Sequence, residues 1–256
     1  MFNATSFHYD GKWSADFGLR IANVNGNNIV EDDAISVQPS LSKASGSVRF
    51  FHGGITYDSP PTCEFSVISE MELVAEIRSS ILSWLIGKNG FKQLKFDNGD
   101  NSSFTYYCVF TSAKTIYING RCRGFRLTAQ FDSPYARGAS TSVTTSAGTH
   151  TVTICNKSNV IDGYVYPIVT FSGSSVDIVN NTDDSGRHFL FNGLESSESV
   201  TVDNESRIIT STHAGEKLSN FKSKNWLRLR PGNNSLTITS AGSVTITCPY
   251  YAMIGY

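Results

Sequence analysis

The stretch Phe125-Arg126-Leu127-Thr128-Ala129-Gln130-Phe131 alternates apolar with polar side chains, and this alternation decides the fold class. Successive side chains of a β-strand point to opposite faces of a sheet, so the pattern predicts a strand with one buried and one outward face. In residues 106–110, Tyr106, Cys108 and Phe110 alternate with Tyr107 and Val109. The first half of the chain is therefore predicted to be built mainly from strands.

The second half of the chain carries the same signal in two hairpins. Residues 236–248 alternate on both sides of the polar turn 240–243, and residues 200–210 do so around the polar turn 203–206. Short alternating arms on either side of a polar turn are typical of β-hairpins. More than a third of all residues are Ser, Thr, Asn or Gly, which favours turns and strand surfaces. This half is predicted to be an antiparallel sandwich or a jelly roll.

One α-helix is predicted near residues 70–86. Ser69 and Glu72 have the spacing of a capping box, in which the hydroxyl and the carboxylate each accept a backbone N–H at the helix start. Apolar residues then recur at helical spacing and give the helix a face that packs on a sheet. These residues are Leu73, Ile77, Ile81, Trp84 and Leu85.

The length of 256 residues is sufficient for two domains with separate cores. We expect residues 1–136 to form the first domain and residues 149–256 the second. Residues 137–148 are small and polar, so they are expected to form a linker or an exposed connecting strand. Residues 23–47 are weakly apolar and too long for an ordinary turn, which predicts an extended arm, a hairpin or a disordered loop.

Charge and hydropathy exclude several classes of partner. The formal net charge is −1, from 21 basic and 22 acidic residues, so sequence-specific binding of nucleic acid is not expected. No apolar run approaches the roughly 20 residues that a spanning helix needs, so we expect no membrane insertion. Residues 1–20 lack the pattern of a signal peptide, so we expect the chain to be made in the cytoplasm and not to be secreted.

Neither a metal nor a cofactor is predicted. The five cysteines are dispersed without paired spacing, which predicts buried thiols and neither a disulfide framework nor a zinc site. They are Cys63, Cys108, Cys122, Cys155 and Cys248. The sequence lacks a zincin motif, a nucleophile elbow, a phosphate-binding loop, a dinucleotide fingerprint and a calcium loop.

A group of acidic residues raises the question of glycosidase chemistry, which needs two carboxyl groups about 5 to 9.5 Å apart. Glu195, Glu198, Asp203 and Glu205 cluster in sequence. They lie beside hairpin turns, where exposed acids are common. We therefore assign no catalytic residue and do not expect an enzyme, and an unrecognised glycosidase stays a third alternative.

Trp226 and Tyr250 are the candidate glycan contacts, because aromatic rings stack on the apolar faces of sugars. His188 and Asn192, followed by Trp226, loosely resemble a galectin, although galectins have the His and Asn two residues apart. The alternation of residues 226–229 favours a core position for Trp226 instead. A carbohydrate-binding module, or a receptor-binding protein for a host cell-surface glycan, is therefore the alternative function.

Short motifs occur along the whole chain in a characteristic order. In the first half they are FHYDGKWSADFGL at 7–19, GGITY at 53–57, the helix ending in Trp84, LKFD at 94–97, the pair Tyr106-Tyr107, and 125–135. In the second half they are Asn156, YPI at 166–168, IVN at 178–180, and LRPGNN at 229–234. In this order they resemble the distal tail (Dit) proteins of long-tailed phages, the baseplate hub family of siphophages.

The resemblance implies an N-terminal β-sandwich with one helix, which assembles into a hexameric ring, and a galectin-like C-terminal β-sandwich outside that ring. Such a ring connects the tail tube to the baseplate or tail fibre at the tail tip of the virion and lets DNA pass. A near-neutral charge suits a conduit that does not retain DNA. A closed ring needs head-to-tail contacts, and residues 23–47 are the candidate arm for them.

The resemblance also implies the partners. These are further copies of the chain, the tail tube protein, the tape-measure protein, and tail-tip lysin or receptor-binding proteins.

Overall fold

A computed structural model of the chain describes residues 4–22, 38–42, 51–56, 61–98, 102–160, 163–184 and 186–253, with the backbone alone for 38–42 and 51–56. The chain divides into two compact units. Unit 1 comprises Met1–Ala136 and Met253–Tyr256, and unit 2 comprises Arg137–Ala252. In the described part of the chain, no helix is long and apolar enough to cross a membrane.

Unit 1 combines one large antiparallel sheet with a helix. Its strands are β1 (Phe7–Tyr9), β2 (Lys12–Trp13), β3 (Leu19–Ala22), β4 (Gln38–Ser42), β5 (Phe51–Thr56), β6 (Thr62–Ser69), β7 (Lys92–Phe96), β8 (Tyr106–Ile118) and β9 (Arg121–Phe131). Seven of them form a sheet in the order β2-β1-β7-β8-β9-β6-β3, and β4 pairs with β5 separately. The helix α1 spans Ala75–Leu85, and a 3-10 turn spans Ser14–Phe17.

The core of unit 1 lies on the inward face of β9 and around Trp84. Phe125, Leu127, Ala129 and Phe131 are all buried, as their alternation predicts. The Trp84 ring stacks on Phe7 and on Phe17, with centroids 5.7 and 4.9 Å apart, and its Nε1 donates a hydrogen bond of 2.9 Å to the carbonyl of Tyr9. These contacts fix α1 on the sheet.

The start of α1 differs from the prediction. Ser69 is the last residue of β6, still extended, and its hydroxyl accepts the N–H of Met71 at 3.2 Å. The helix begins only at Ala75, with Val74 at its N-cap, so a capping box at Ser69 and Glu72 is wrong. Ile77 is exposed although Ile81, Trp84 and Leu85 are buried, because the first helical turn extends past the core.

The long hairpin of β8 and β9 ends in the two-residue turn Asn119-Gly120. Both residues have positive φ, 51° and 74°. These angles match a type I′ turn, whose twist suits a β-hairpin and for which Asn-Gly is the preferred sequence. The ladder is irregular between Ile116 and Tyr117, close to this turn. Asn-Gly is a sequence signal for this hairpin that the alternation argument does not use.

Unit 2 is built from two antiparallel sheets that share one core. Its strands are β10 (Tyr135–Thr145), β11 (Gly148–Asn156), β12 (Ile168–Ser172), β13 (Ser175–Asn180), β14 (His188–Asn192), β15 (Ser199–Asp203), β16 (Ile208–Ser211), β17 (Gly232–Ser240) and β18 (Val244–Met253). One sheet has the order β10-β18-β12-β15-β16 and the other β11-β17-β13-β14. Phe171 and Ile246 of the first sheet and Ile178 and Ile238 of the second belong to one buried cluster.

The mainly β class, with antiparallel sandwich sheets and one α-helix in the described part of the chain, is therefore confirmed. The galectin-like character of unit 2 stays a prediction.

The structure describes most of the expected linker, residues 137–148, but only a small part of the expected arm, residues 23–47. Residues 137–145 lie in β10, which pairs with β18, and β11 begins at Gly148, so only residues 146 and 147 of the expected linker lie outside a strand. Of the expected arm, residues 23–37 and 43–47 lie outside the described residues. Its remaining part, β4, pairs antiparallel with β5.

A row of threonine side chains crosses the outer face of the five-stranded sheet of unit 2. The hydroxyls of Thr144 and Thr245 are 3.0 Å apart, and those of Thr170 and Thr201 are 3.1 Å apart. Thr170 is also the register partner of Thr245, and Thr201 that of Thr210. We call these five residues, one from each strand, the threonine row.

Candidate interaction surfaces

Unit 1 leaves several large apolar side chains exposed at the start of α1 and at the tip of the β8–β9 hairpin. Met71 is 77% exposed and Tyr117 is 60% exposed. The set consists of Met71, Val74, Ile77, Tyr117 and Ile118, which we call the apolar surface. Clustered exposed apolar side chains on a folded protein mark sites of contact with other molecules.

Hydrogen bonds connect the two parts of the apolar surface. The N–H of Leu73, between Met71 and Val74, donates to the carbonyl of Cys122 in β9 at 2.9 Å. An Nη1 of Arg78, next to Ile77, donates to the hydroxyl of Tyr117 at 3.5 Å. The helix start and the hairpin tip are therefore held side by side.

Charged groups border the apolar surface. Nε of Arg121 lies 3.6 Å from a carboxylate oxygen of Glu72, and the guanidinium of Arg123 donates to the carbonyl of Glu70. Exposed ion pairs of this kind contribute little to stability. An apolar centre with a polar rim is the usual composition of a protein–protein interface.

Unit 2 contains a small pocket, open to solvent, between the end of β13, the start of β14 and the segment before β17. Most of the pocket is open to solvent, and its enclosed part has room for about one water molecule. Two acids, two arginines, an amide and an indole are among the residues that line it. These residues are Asp183, Asp184, Arg187, Asn225, Trp226 and Arg228.

An ion pair forms one wall of the pocket. Nε and Nη2 of Arg228 donate to the two carboxylate oxygens of Asp183 at 2.7 and 3.4 Å, and the hydroxyl of Tyr164 donates to the same group at 3.0 Å. The guanidinium of Arg228 also lies over the Tyr164 ring, 4.3 Å from its centroid. Burial raises the pKa of Asp183, but the hydrogen bonds from Arg228 and Tyr164 outweigh it and lower that pKa. Asp183 is therefore ionised at neutral pH.

The second arginine has an unused donor. Nη2 of Arg187 donates to the carbonyl of Trp226 at 3.2 Å. Its Nε is buried and has no hydrogen-bond partner among the described residues. A buried N–H without an acceptor is costly.

The structure separates the two residues predicted to contact glycans. Trp226 is partly exposed, lines the pocket, and packs edge-to-face on Phe221 at 5.0 Å between ring centroids. Tyr250 lies in β18 and is not part of the pocket lining.

His188 and Asn192 also lie outside this pocket. Nδ1 of His188 contacts the carboxylate of Asp177 at 2.9 Å, and the side-chain oxygen of Asn192 accepts the N–H of Gly193. Phe189, adjacent to His188 in β14, lines the pocket instead.

Glu198 is almost completely buried, contrary to the expectation of an exposed acid beside a turn. Nζ of Lys217 lies 2.8 Å from one carboxylate oxygen, the hydroxyl of Ser211 donates to it at 2.5 Å, and the N–H of Glu195 donates to the other oxygen at 3.2 Å. Burial raises the pKa of Glu198, but the hydrogen bonds from Lys217, Ser211 and Glu195 outweigh it and hold the pKa at about 2.

The other acids of the group have separate partners. Glu195 pairs with His213 at 3.1 Å, Asp203 accepts the backbone N–H groups of the following turn, and Glu205 accepts the hydroxyl of Tyr251 at 2.7 Å. None of the four lines the pocket. Their positions give each a role in turns and cross-links of the sandwich.

The cysteines are all free, and four of the five are buried. Burial raises the pKa of the Cys248 thiol to about 11, so this thiol is protonated at neutral pH. Within the described ranges, no group of three or more His, Cys, Asp or Glu side chains has an arrangement that could hold a metal ion.

Sequence reasoning did not identify the apolar surface or the polar residues of the pocket. Tyr117 and Ile118 are consecutive apolar residues that break the alternation just before the Asn-Gly turn, which is a usable signal. Met71 and Val74 precede the helix and have no periodicity of their own. Arg187 and Asn225 lie in irregular segments, so only the folded chain brings them to Trp226.

Two family models match consecutive parts of the chain. The model described as phage tail protein N-terminal domain matches residues 2–133. The model described as phage tail C-terminal domain matches residues 135–248. Curated protein sequences gave no match.

Among the solved structures that match the chain are two from phages. The crystal structure of the SPP1 Dit protein, described as a paradigm of hub adsorption apparatus in Gram-positive infecting phages, has a TM-score of 0.69 and 15% identity, over 96% of this chain and 98% of that one. A chain of the phage P2 baseplate in its activated conformation with Ca has a TM-score of 0.48 and 9% identity, over 96% and 97%. At 15% identity the first similarity shows the fold.

Proposed function

The chain belongs to the family of phage tail proteins, and from this membership we propose that it is a ring-forming structural protein of the tail tip. Six copies form a ring that connects the tail tube to the baseplate or tail fibre and leaves a passage for DNA. The fold shared with the SPP1 hub protein over nearly the full length of both chains supports this assignment.

The apolar surface of unit 1 is the observation that most directly supports the proposed ring. Met71 and Tyr117 are too exposed to serve the core of their own subunit, and hydrogen bonds hold the two parts of the surface in place. In a closed ring each subunit contacts its neighbours through two different faces. We assign the apolar surface to one of these faces, where its burial stabilises the ring by about 25 cal/mol per Å² of apolar area.

Net charge is consistent with a passage for DNA. With a formal net charge of −1 the chain carries no excess of basic residues that would retain a polyanion. The remaining partners in this proposal are the tail tube protein, the tape-measure protein, and tail-tip lysin or receptor-binding proteins. The work of the protein is mechanical, and the proposal includes no catalytic step.

The test is the mass of the purified chain in solution, by light scattering after size exclusion, together with negative-stain imaging. We expect particles of six times the 28.0 kDa subunit, seen as rings. The double variant Met71→Asp/Val74→Asp places two charges in the apolar surface, and we expect it to remain folded and to lose the rings.

Leu218→Asp is the matched control, since Leu218 is an exposed apolar residue of unit 2 outside the apolar surface. It should leave the rings intact. Rings that persist in the double variant would show that subunits meet elsewhere. A wild-type chain that forms no ring, alone or with the tail tube protein, would refute the proposed assembly.

A further inference from the structure

The sequence contains several Asn-Gly pairs, a dipeptide whose side-chain amide can react with the backbone nitrogen that follows it. Three pairs lie wholly in the described part of the chain, namely Asn89-Gly90, Asn119-Gly120 and Asn192-Gly193. All six residues are exposed, so water reaches each pair. Glycine has no Cβ to hinder the approach of its nitrogen to the amide carbon. Sequence and exposure therefore do not distinguish the three pairs, and local geometry must do so.

Asn192 contacts the nitrogen with which it would react. Its Oδ1 accepts the N–H of Gly193 at 2.7 Å, and of the three described pairs this is the one with such a hydrogen bond. A carbonyl bond is about 1.23 Å long, so Cγ of Asn192 lies within about 4 Å of that nitrogen. A rotation of the side chain then gives the separation of about 3–3.5 Å at which atoms react. The reactive geometry is therefore close to the resting one.

Asn119 is held differently, in the tight turn of the β8–β9 hairpin. Asn119 and Gly120 both have the positive φ of a type I′ turn, and the strands pair directly before and after them, at Ile118 and Arg121. The ladder on both sides restricts the rotation that would bring the side chain onto the next nitrogen. This pair is therefore expected to react more slowly than Asn192-Gly193.

Asn220 activates the nitrogen of Gly193. Nδ2 of Asn220 donates to the carbonyl of Asn192 at 3.1 Å and to that of Gly193 at 2.8 Å. The carbonyl of Asn192 belongs to the same amide group as the nitrogen of Gly193. When that nitrogen loses its proton, the carbonyl oxygen shares the negative charge, and a donor at this oxygen stabilises the deprotonated form. The N–H of Asn192 also donates to the carbonyl of Asn220 at 3.1 Å, which keeps the two residues together.

We propose that the folded chain deamidates at Asn192, through a succinimide formed with Gly193, faster than at Asn89 or Asn119. Hydroxide from the solvent takes the proton of the Gly193 nitrogen, whose electron pair then bonds to Cγ of Asn192. The bond from Cγ to Nδ2 breaks, and the amide nitrogen takes a proton from water and leaves as ammonia. Water opens the ring at either carbonyl and gives aspartate or isoaspartate. The only reagent is water, and no atom is oxidised or reduced.

The product changes the end of an edge strand. Asn192 is the last residue of β14 and the register partner of Ser175, and the preceding Phe191 is fully buried and stacked on Phe221. Both products add a negative charge, and isoaspartate also adds a carbon atom to the backbone path. The backbone bonds to Asn220 no longer fit that longer path. The end of β14 should therefore loosen while Phe191 stays in the core. The reaction needs neither ring formation nor a partner.

The experiment is incubation of the purified full chain at pH 9, followed by peptide mapping with mass spectrometry. Deamidation replaces NH₂ by OH and adds about 1 Da, and chromatography separates peptides with aspartate from those with isoaspartate. We expect Asn192 to react at least about fivefold faster than Asn89 and Asn119, because its geometry is already close to reaction. Isoaspartate should be among the products, since it arises only from the ring. In concentrated guanidinium chloride, the control, the three pairs should react at similar rates.

Two variants locate the cause. Gly193→Ala should slow the reaction of Asn192 about tenfold, because the methyl group hinders the attack, and should leave the other two pairs unchanged. Asn220→Ala should slow it about threefold, through the lost hydrogen bond to the reacting amide group. If Gly193→Ala fails to fold by circular dichroism, since Gly193 has a φ of 77°, Asn220→Ala decides the question.

Three results would overturn the proposal. The first is that Asn89 or Asn119 reacts as fast as Asn192 in the folded chain. The second is that the product at Asn192 is aspartate alone. The third is that Asn220→Ala leaves the rate at Asn192 unchanged or raises it.

Discussion

Glu198 is a charged residue with a structural role inside unit 2. Its carboxylate is almost fully buried and receives hydrogen bonds from Lys217, Ser211 and the backbone of Glu195. Each partner stabilises the charged form, which is why the pKa of about 2 lies below the usual 4.5 in spite of burial. The charge of Glu198 therefore contributes to folding at neutral pH.

The first prediction concerns this residue and pH. Because folding lowers the pKa of Glu198, its contribution is complete above about pH 5 and declines as the pH falls from about 4.5 to about 2. Glu198→Gln should lower the free energy of unfolding by about 1–3 kcal/mol at pH 7. Urea unfolding of both proteins at pH 7, 4 and 3 measures this difference, which should shrink as the pH falls.

Other acids, among them Asp97 with a pKa of about 2 in unit 1, titrate in the same range, so the comparison with the variant is necessary. A difference between the two proteins that is the same at all three pH values would contradict the role of the charge.

Sequence reasoning succeeded for residues whose environment is set by their neighbours in a strand. The alternation of residues 125–131 identified the buried side of β9 correctly. Glu198 was misplaced because its spacing from Glu195 and Asp203 is that of an exposed turn. Its burial depends on Lys217, which lies nineteen positions later and reaches it only in the folded sandwich.

The spacing of strands β6 and β9 is set by a residue without a side chain. Gly124 of β9 is the register partner of Ile68 in β6. A Cβ built on Gly124 would lie 2.0 Å from the carbonyl oxygen of Val67, and this contact is with backbone. The two strands can pair at this distance only because position 124 is glycine.

The second prediction follows for Gly124→Ala. The methyl group forces β6 and β9 apart next to the core, so we expect a loss of about 2–4 kcal/mol in the free energy of unfolding, measured by urea denaturation. Gly186→Ala is the matched control. Its nearest neighbour would be a side-chain oxygen of Asp184 at 3.4 Å, and its effect should be within about 0.5 kcal/mol. If the two substitutions lowered the free energy of unfolding equally, the close approach of Gly124 to the backbone of β6 would be contradicted.

At the scale of the element, hydrophobic pattern predicted the presence of strands and helix better than their ends. The apolar spacing placed a helix near residues 70–86, and α1 spans Ala75–Leu85. Its start was wrong because Ser69 continues β6, and strand pairing with β3 competes with capping at that residue. Local spacing does not reveal such a competition.

The whole molecule has two hydrophobic clusters with no residue in common. Leu127 belongs to the cluster of unit 1 and Leu236 to that of unit 2, and both are fully buried. Two separate cores predict two cooperative units of unfolding. The order of family motifs in the sequence predicted this general architecture, whereas the apolar surface and the pocket required the packing of distant segments.

The third prediction is that calorimetry resolves two thermal transitions. Leu127→Ala should lower the midpoint of one transition and Leu236→Ala that of the other, each through a loss of about 2–5 kcal/mol. Each variant serves as the control for the other. Displacement of the same transition by both substitutions would show that the two units unfold together.

The threonine row affects how unit 2 responds to changes in pH and salt concentration. Its hydroxyl groups do not titrate between acidic and alkaline media, and salt does not screen the hydrogen bonds between them as it screens ion pairs. The five strands of that sheet also contain no lysine, so amine-reactive cross-linkers find no target among them. The hydrogen bonds of the threonine row should therefore persist when the pH or the salt concentration around unit 2 changes.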